Sequence, residues 1–168
     1  MKYLSIISLS VLITVTGCTR LEPKLYSDLT TANAYSTESD INAALVGVYA
    51  DLNPYPGDAW MYYAGYLVMT TDYSTDMGFS TAAGDPTKMS NFTYDDNNRY
   101  IRYNWQYMYN VISNVNLLLA KIEGVQMDET KKKRIIGQAR FLRALAYRDI
   151  TDAWGPAPLY TKVVAPDE

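Results

Sequence analysis

Residues 137–159 read GQARFLRALAYRDITDAWGPAPL, and this stretch decides the fold. Ala139, Leu142, Leu145, Ala146 and Ile150, with Ile135 before them, recur at spacings of three and four, which marks one face of a helix. Asp128 is a good N-cap, so the spacing predicts a helix from about 128 to 153. Trp154-Gly155-Pro156 stops it. Alanines 139, 144 and 146 leave room for a neighbouring helix to approach closely.

That neighbour lies just upstream. From Arg99 or Tyr100 to about Glu123 the chain carries Trp105, Tyr109, Ile112, Asn116, Leu119 and Ile122 at helical spacing, with Gly124 just past the end. Only a few residues join the two predicted helices, so they form an antiparallel hairpin. A hairpin of this length with small residues at its contact is the unit of a tetratricopeptide-like array, although the strict repeat signature is missing.

Further upstream, Thr37 is an N-cap with Glu38 and Asp40 in the first turn. Ile41, Leu45, Val48, Tyr49 and Leu52 follow on one face, and Asn53-Pro54 closes the helix. After a turn-rich stretch, residues 60–70 (WMYYAGYLVMT) read as a second, largely buried helix. Residues 71–98 are polar and irregular, longer than ordinary connections, and long loops of that kind carry function. The fold class is all-α, a tetratricopeptide-like scaffold of antiparallel helix pairs.

The N-terminus reads as an export signal. Lys2 precedes the apolar run YLSIISLSVLITV at 3–15, which is signal-peptide length and too short to span a bilayer. Val15-Thr16-Gly17-Cys18 resembles a bacterial lipobox, in which the cysteine thiol takes the lipid. The expected organisation is a signal peptide at 1–17, a lipidated tether at 18–36 with Pro23 against helix, and a helical domain at 37–168. Cys18 is the only cysteine, so no disulfide forms within the chain and lipidation accounts for the thiol. Acyl chains, contributing about 0.8 kcal/mol per buried CH₂, hold such a protein on a membrane surface.

Composition excludes several activities. The net charge of −3 over 168 residues leaves no electrostatic footprint for nucleic acid. The basic run Lys131-Lys132-Lys133-Arg134 reads as a solvated helix face. With no histidine and one cysteine, composition argues against an imidazole or thiolate metal site and excludes a Ser-His-Asp or Cys-His arrangement within the chain, and no cofactor is implied. The 18 acidic residues still permit a two-carboxylate glycosidase. Sixteen tyrosines stand out, since tyrosine pairs an apolar face with a polar edge and suits wet binding surfaces as well as helix packing.

The 137–159 stretch resembles the hallmark of the SusD/RagB family, close to G-E-A-R-F-L-R-A-x-x-Y-F-x-L followed by W-G-x-x-P-L. Trp105 to Tyr109 with Ile112, Asn114, Asn116 and Leu118 resembles the family's W-x-x-x-Y-x-x-I-x-x-x-N-x-L-L helix, and residues 43–49 (AALVGVY) resemble its first-helix motif. Gln138 replaces the usual glutamate, Arg148 stands where an aromatic is preferred, and Glu22 is the single acid soon after Cys18. The resemblance implies an α-helical scaffold completed by a second, loop-rich half. The chain therefore reads as the N-terminal part of a larger fold.

By that resemblance the motif residues Trp105, Tyr109, Asn116, Arg140, Arg143, Tyr147, Trp154 and Gly155 brace the scaffold. Ligand contacts fall to Trp60, Tyr62, Tyr63, Asp72 and Tyr73, because sugar C–H faces stack on aromatic rings while hydroxyls need directional donors and acceptors. The implied function is binding without catalysis. A lipid-anchored outer-membrane protein, facing the cell exterior, captures an oligosaccharide, or a peptide, and passes it to a SusC-type TonB-dependent transporter. The alternatives are a surface hydrolase using Asp72 with Asp76 or Asp95 with Asp96, and a structural lipoprotein that binds only another protein.

Overall fold

The computed structural model describes residues 34–52 and 67–164. Every described residue lies in one compact unit, within residues 31–168. Among the described residues there are five helices: α1 (Glu38–Asp51), α2 (Leu67–Thr71), α3 (Asp85–Ser90), α4 (Arg99–Ile122) and α5 (Glu129–Trp154). No strand occurs among the described residues, so the chain is all-α there.

Each long helix starts where a side chain satisfies its free N–H groups. Thr37 and Asp40 form a reciprocal capping box: the Asp40 N–H donates to Thr37 Oγ1 at 3.2 Å and the Thr37 N–H donates to Asp40 Oδ2 at 2.8 Å. The Thr37 hydroxyl and backbone hold the Asp40 carboxyl below its ordinary value of 3.8. Asn98 caps α4 by accepting from the Tyr100 N–H at 3.0 Å, and Asp128 caps α5 by accepting from the Lys131 N–H at 2.9 Å. At the far end of α5, Gly155 takes φ 75°, a conformation that costs an L-residue about 1 kcal/mol or more, and its N–H closes on Thr151 O at 3.0 Å. Gly124 is different. Its φ is not positive, and α4 ends in an ordinary turn at Glu123 and Gly124.

Helices α4 and α5, each roughly 35–40 Å long at about 1.5 Å per residue, form the antiparallel hairpin expected from the short connection. Helix α1 lies against both. The core is Ile41, Leu45, Val48 and Leu52 from α1, Met108 to Ile122 from α4, Val125 in the turn, and Ile135, Ala139, Leu142, Ala146 and Ile150 from α5. Tyr49 lies at the edge of this layer, exposed, with its hydroxyl donating to Gln138 Oε1 at 3.1 Å. Lys131 Nζ meets Glu38 Oε1 at 2.6 Å and ties the start of α5 to the start of α1.

The buried stripe of α4 is wider than the spacing of its aromatics suggested. Tyr100, Asn104, Met108, Val111, Val115 and Leu118 are buried, while Trp105, Tyr109 and Leu119 are half-buried at the rim. The reason is that α4 has partners on several sides: α1, α2 and α5.

Residues 71–98 are more ordered than their polarity implied. Helix α3 forms within them, with Pro86 in its first turn. Met89 of α3 and Tyr100 of α4 make a second small core with Tyr73, Ile101, Tyr103 and Tyr107 around it. Asp85 fixes the other edge: its carboxylate accepts from the Arg99 N–H at 3.2 Å, and its carbonyl accepts from Asn98 Nδ2 at 3.3 Å.

Candidate functional site

The described residues enclose an open cleft of about 610 Å³ between α2, the 71–98 segment and the last turns of α5. That volume falls within the usual range for small-ligand pockets, about 300–1,000 Å³. Leu67, Met89, Ile101, Ala153 and Trp154 supply apolar wall, Tyr94 adds a second aromatic, and Thr70, Thr71 and Ser74 supply hydroxyls. Arg148, Asp149 and Asp152 supply charge.

Local folding sets each wall. Asn104 of α4 donates from Nδ2 to Thr70 Oγ1 at 2.9 Å, which anchors α2 against the hairpin. Thr70 and Thr71 turn their hydroxyls back onto the Leu67 carbonyl at 2.9 and 3.0 Å, ending α2 beside the cleft. Trp154 is held edge-on to Trp105, with ring centroids 5.4 Å apart at 79°. Asp149, only 5 % exposed, lies on the inward face of α5 between Ala146 and Ile150. Arg148 neutralises it: Nε donates to Asp149 Oδ1 at 2.9 Å, and Nη2 also pairs with that oxygen. The same guanidinium lies 3.9 Å from Asp152, whose side chain is 74 % exposed.

Asp72 and Tyr73 follow α2 directly. Asp72 is exposed and accepts from Thr71 Oγ1 at 3.0 Å, while its carbonyl accepts from the Thr75 N–H at 3.2 Å and Thr75 Oγ1 at 2.8 Å. Tyr73 is half-buried against Met89 and Tyr100. Gly78 closes this turn so tightly that a Cβ there would sit 2.5 Å from the Asp72 carbonyl oxygen and 2.8 Å from Tyr73 Cδ1. Thr71, one residue before Asp72, lines the cleft, so Asp72 stands at its edge. Trp60, Tyr62 and Tyr63 lie outside the described residues, as does Cys18 with its leader.

Other residues of the 137–159 motif do something different from lining the cleft. Arg143 and Tyr147, with Asn116 and Tyr109 of α4, grip the extended segment that follows α5, residues 156–164. Asn116, 3 % exposed, donates from Nδ2 to Tyr160 O at 3.1 Å and Lys162 O at 2.9 Å, while its Oδ1 accepts from Arg143 Nη1 at 2.6 Å. Arg143 Nη1 also donates to Thr161 O at 3.0 Å. The Tyr147 hydroxyl donates to Tyr160 O at 3.1 Å and accepts from the Tyr160 N–H at 2.6 Å. The Tyr109 hydroxyl donates to Pro158 O at 2.9 Å, and burial beside Tyr147 and Tyr160 pushes its phenol above the ordinary 10.0. Trp105 stacks on Tyr109 at 4.8 Å. Arg140 is exposed, and its side chain makes no hydrogen bond or ion pair with the described residues.

Asp149, Asp152 and Tyr94 were not singled out from sequence, and Arg148 stood out only as a departure from the family pattern. The one available signal was Asp149, a charged residue in register with Ala146 and Ile150. Among the described residues no group of three or more His, Cys, Asp or Glu side chains could hold a metal ion. No helix among them is long and apolar enough to cross a membrane. Among the described carboxylates, those at the cleft are engaged with one guanidinium, and the Asp72 carboxylate accepts from a threonine.

The model of a SusD-like family, described as starch-binding and associating with the outer membrane, matches residues 21–167. Among curated proteins, the chain is 26 % identical over 158 residues to SusD-like protein P2 of Formosa agariphila, covering 94 % of this chain and 31 % of the relative. It is 29 % identical over 149 residues to SusD-like protein P25 of the same organism, covering 80 % and 26 %. A third relative there, SusD-like protein P38, is 26 % identical over 164 residues, covering 95 % and 30 %. The chain thus spans about a third or less of the length of these relatives. No solved structure matches it at the same stringency.

Proposed function

Because the chain belongs to the SusD-like family, we propose that it is a cell-surface lipoprotein that captures a glycan and hands it to a TonB-dependent outer-membrane transporter. The observation that carries this reading is the open, mixed aromatic and polar cleft of about 610 Å³ beside Asp72. Sugars need both kinds of wall: flat C–H faces lie on rings such as Trp154 and Tyr94, and hydroxyls pair with carboxylates and threonines. Asp72 and Tyr73 extend that surface, and the stacking role expected of Trp60, Tyr62 and Tyr63 falls outside the described residues.

Binding without chemistry fits the charge layout. Hydrolysis by two carboxylates requires a protonated acid and an ionised partner about 5–9.5 Å apart around the scissile bond. Asp149 is already committed to Arg148 inside the wall of the cleft, which suits holding rather than proton transfer. Lipidation at Cys18 would place the domain on a membrane, with residues 18–36 as its tether.

Affinity electrophoresis of the full chain in gels containing soluble glycans tests the reading. Retardation by at least one glycan is expected, reduced several-fold in an Asp72→Ala/Tyr73→Ala double variant. Sugar release from the retarding glycan would replace capture by catalysis, and free migration in every glycan would remove the reading.

A further inference from the structure

The charge of the cleft says which glycans it can take. Three charged side chains line it among the described residues: Arg148, Asp149 and Asp152. The single cation is already committed. Arg148 directs both Nε and Nη2 onto Asp149 Oδ1 and reaches Asp152 at 3.9 Å. Two carboxylates outweigh this one guanidinium, and its Nε–Nη2 edge, the one that would fork onto the carboxylate or sulfate of an acidic sugar, is taken by Asp149. Asp152 adds an exposed carboxylate on the open side, and Asp72, the residue after the lining Thr71, adds another at the rim. The remaining polar atoms are the hydroxyls of Thr70, Thr71, Ser74 and Tyr94, which exchange hydrogen bonds with neutral sugar hydroxyls.

We infer that this cleft is a subsite for uncharged sugar units, closed to uronate and sulfated ones, with Asp152 as the residue that sets the discrimination. The inference rests on the capture function proposed above and adds the substrate's charge class and the place where it is read. Trp154 supplies the stacking face, and Asp152 supplies an acceptor for one or two ring hydroxyls. A ligand anion about 4 Å from Asp152 meets a repulsion of about 1 kcal/mol in water-like surroundings, roughly a fivefold loss in affinity, and more where water is displaced.

The test is a calorimetric titration of the full chain with neutral hexasaccharides (malto-, xylo-, manno- and cello-) and with acidic ones (oligogalacturonate and a sulfated galactan fragment) at about 50 mM salt. The pair of variants is Asp152→Asn and Asp152→Lys, a surface position whose only described partner is Arg148, so the fold is retained. At least one neutral oligosaccharide is expected to bind and the acidic ones to fail. Asp152→Asn is expected to weaken the neutral ligand about three- to tenfold, and Asp152→Lys to bring acidic oligosaccharides into measurable range. Tighter binding of an acidic oligosaccharide by the unaltered chain overturns the charge class and leaves glycan capture standing. Neutral binding untouched by either variant places the ligand elsewhere and overturns the subsite alone. Silence across the whole panel overturns the subsite together with the capture function it rests on.

Discussion

Asn116→Ala is the substitution that most directly probes how the motif works. Asn116 is buried and makes three hydrogen bonds at once: two from Nδ2 to the Tyr160 and Lys162 carbonyls, at 3.1 and 2.9 Å, and one accepted from Arg143 at 2.6 Å. Alanine removes all three. The two neutral bonds are worth about 0.5–1.5 kcal/mol each, and the charged one about 1.5–3 kcal/mol. The simple sum overshoots, because the 156–164 segment faces solvent and its freed carbonyls recover water. Arg143 also keeps its bond to Thr161 O at 3.0 Å. A net cost of about 2–4 kcal/mol follows, concentrated on release of the segment rather than on the helix core. Hydrogen exchange reads this locally at the Tyr160 N–H, which donates to the Tyr147 hydroxyl at 2.6 Å. Its protection is expected to fall roughly 30- to 1,000-fold, at about 1.4 kcal/mol per factor of ten. Core amides of α4 near Val115 should change far less. Exchange at Tyr160 within about threefold of the parent would mean that the clamp contributes nothing and that the segment is held by other contacts.

Other perturbations separate the remaining elements. Gly78→Ala drives a Cβ to 2.5 Å from the Asp72 carbonyl oxygen, so the 72–78 turn must open; a loss of about 1–3 kcal/mol by urea unfolding is expected, with weaker glycan retention. Phe92 is held at φ 56° although it is 62 % exposed, so Phe92→Gly relieves backbone strain without losing much burial and should raise stability by about 1 kcal/mol. The capping box gives a pH signature. Asp40 is held below 3.8 by the Thr37 hydroxyl and N–H, so its contribution is complete above that value and is lost as pH falls through the lower folded-state value. Thr37→Ala should therefore unfold at lower urea than the parent at neutral pH, and the two midpoints should converge below the ordinary aspartate range; a gap that persists there would show that the cap acts without Asp40.

The helices were legible because their ends carry local chemistry. Thr37 and Asp128 cap α1 and α5 where their side chains reach the next N–H groups, and the period of Ile135, Ala139, Leu142, Ala146 and Ile150 is the period of burial. The face of α4 was harder to read. Trp105 and Tyr109 dominate its sequence, yet rings with polar edges settle at the rim, and the smaller Val111, Val115 and Leu118 fill the centre. Helix α3 escaped notice because six mostly polar residues show no period; Asp85-Pro86 was its only mark.

The cleft was least legible. Its walls come from residues 67–101 and 148–154, and proximity across that separation follows from how α4 carries α2 against the hairpin, which no local pattern encodes. Asp149 shows the same limit from the other side. A charge on an apolar face reads as a mismatch until its neighbour Arg148 folds onto it. The clamp on residues 156–164 was visible only as a motif, since its acceptors are backbone carbonyls and backbone leaves no trace in side-chain spelling.

The central claim is capture at the cell surface on behalf of a transporter, and it is tested most directly by uptake. Cells carrying the intact gene, a deletion, or Cys18→Ser are given the fluorescent oligosaccharide that retards the purified chain, at concentrations below saturation. The account predicts that deletion and Cys18→Ser both cut uptake, with Cys18→Ser shifting the protein out of the membrane fraction. Undiminished uptake in both strains, with the protein still in the membrane fraction after Cys18→Ser, would contradict it.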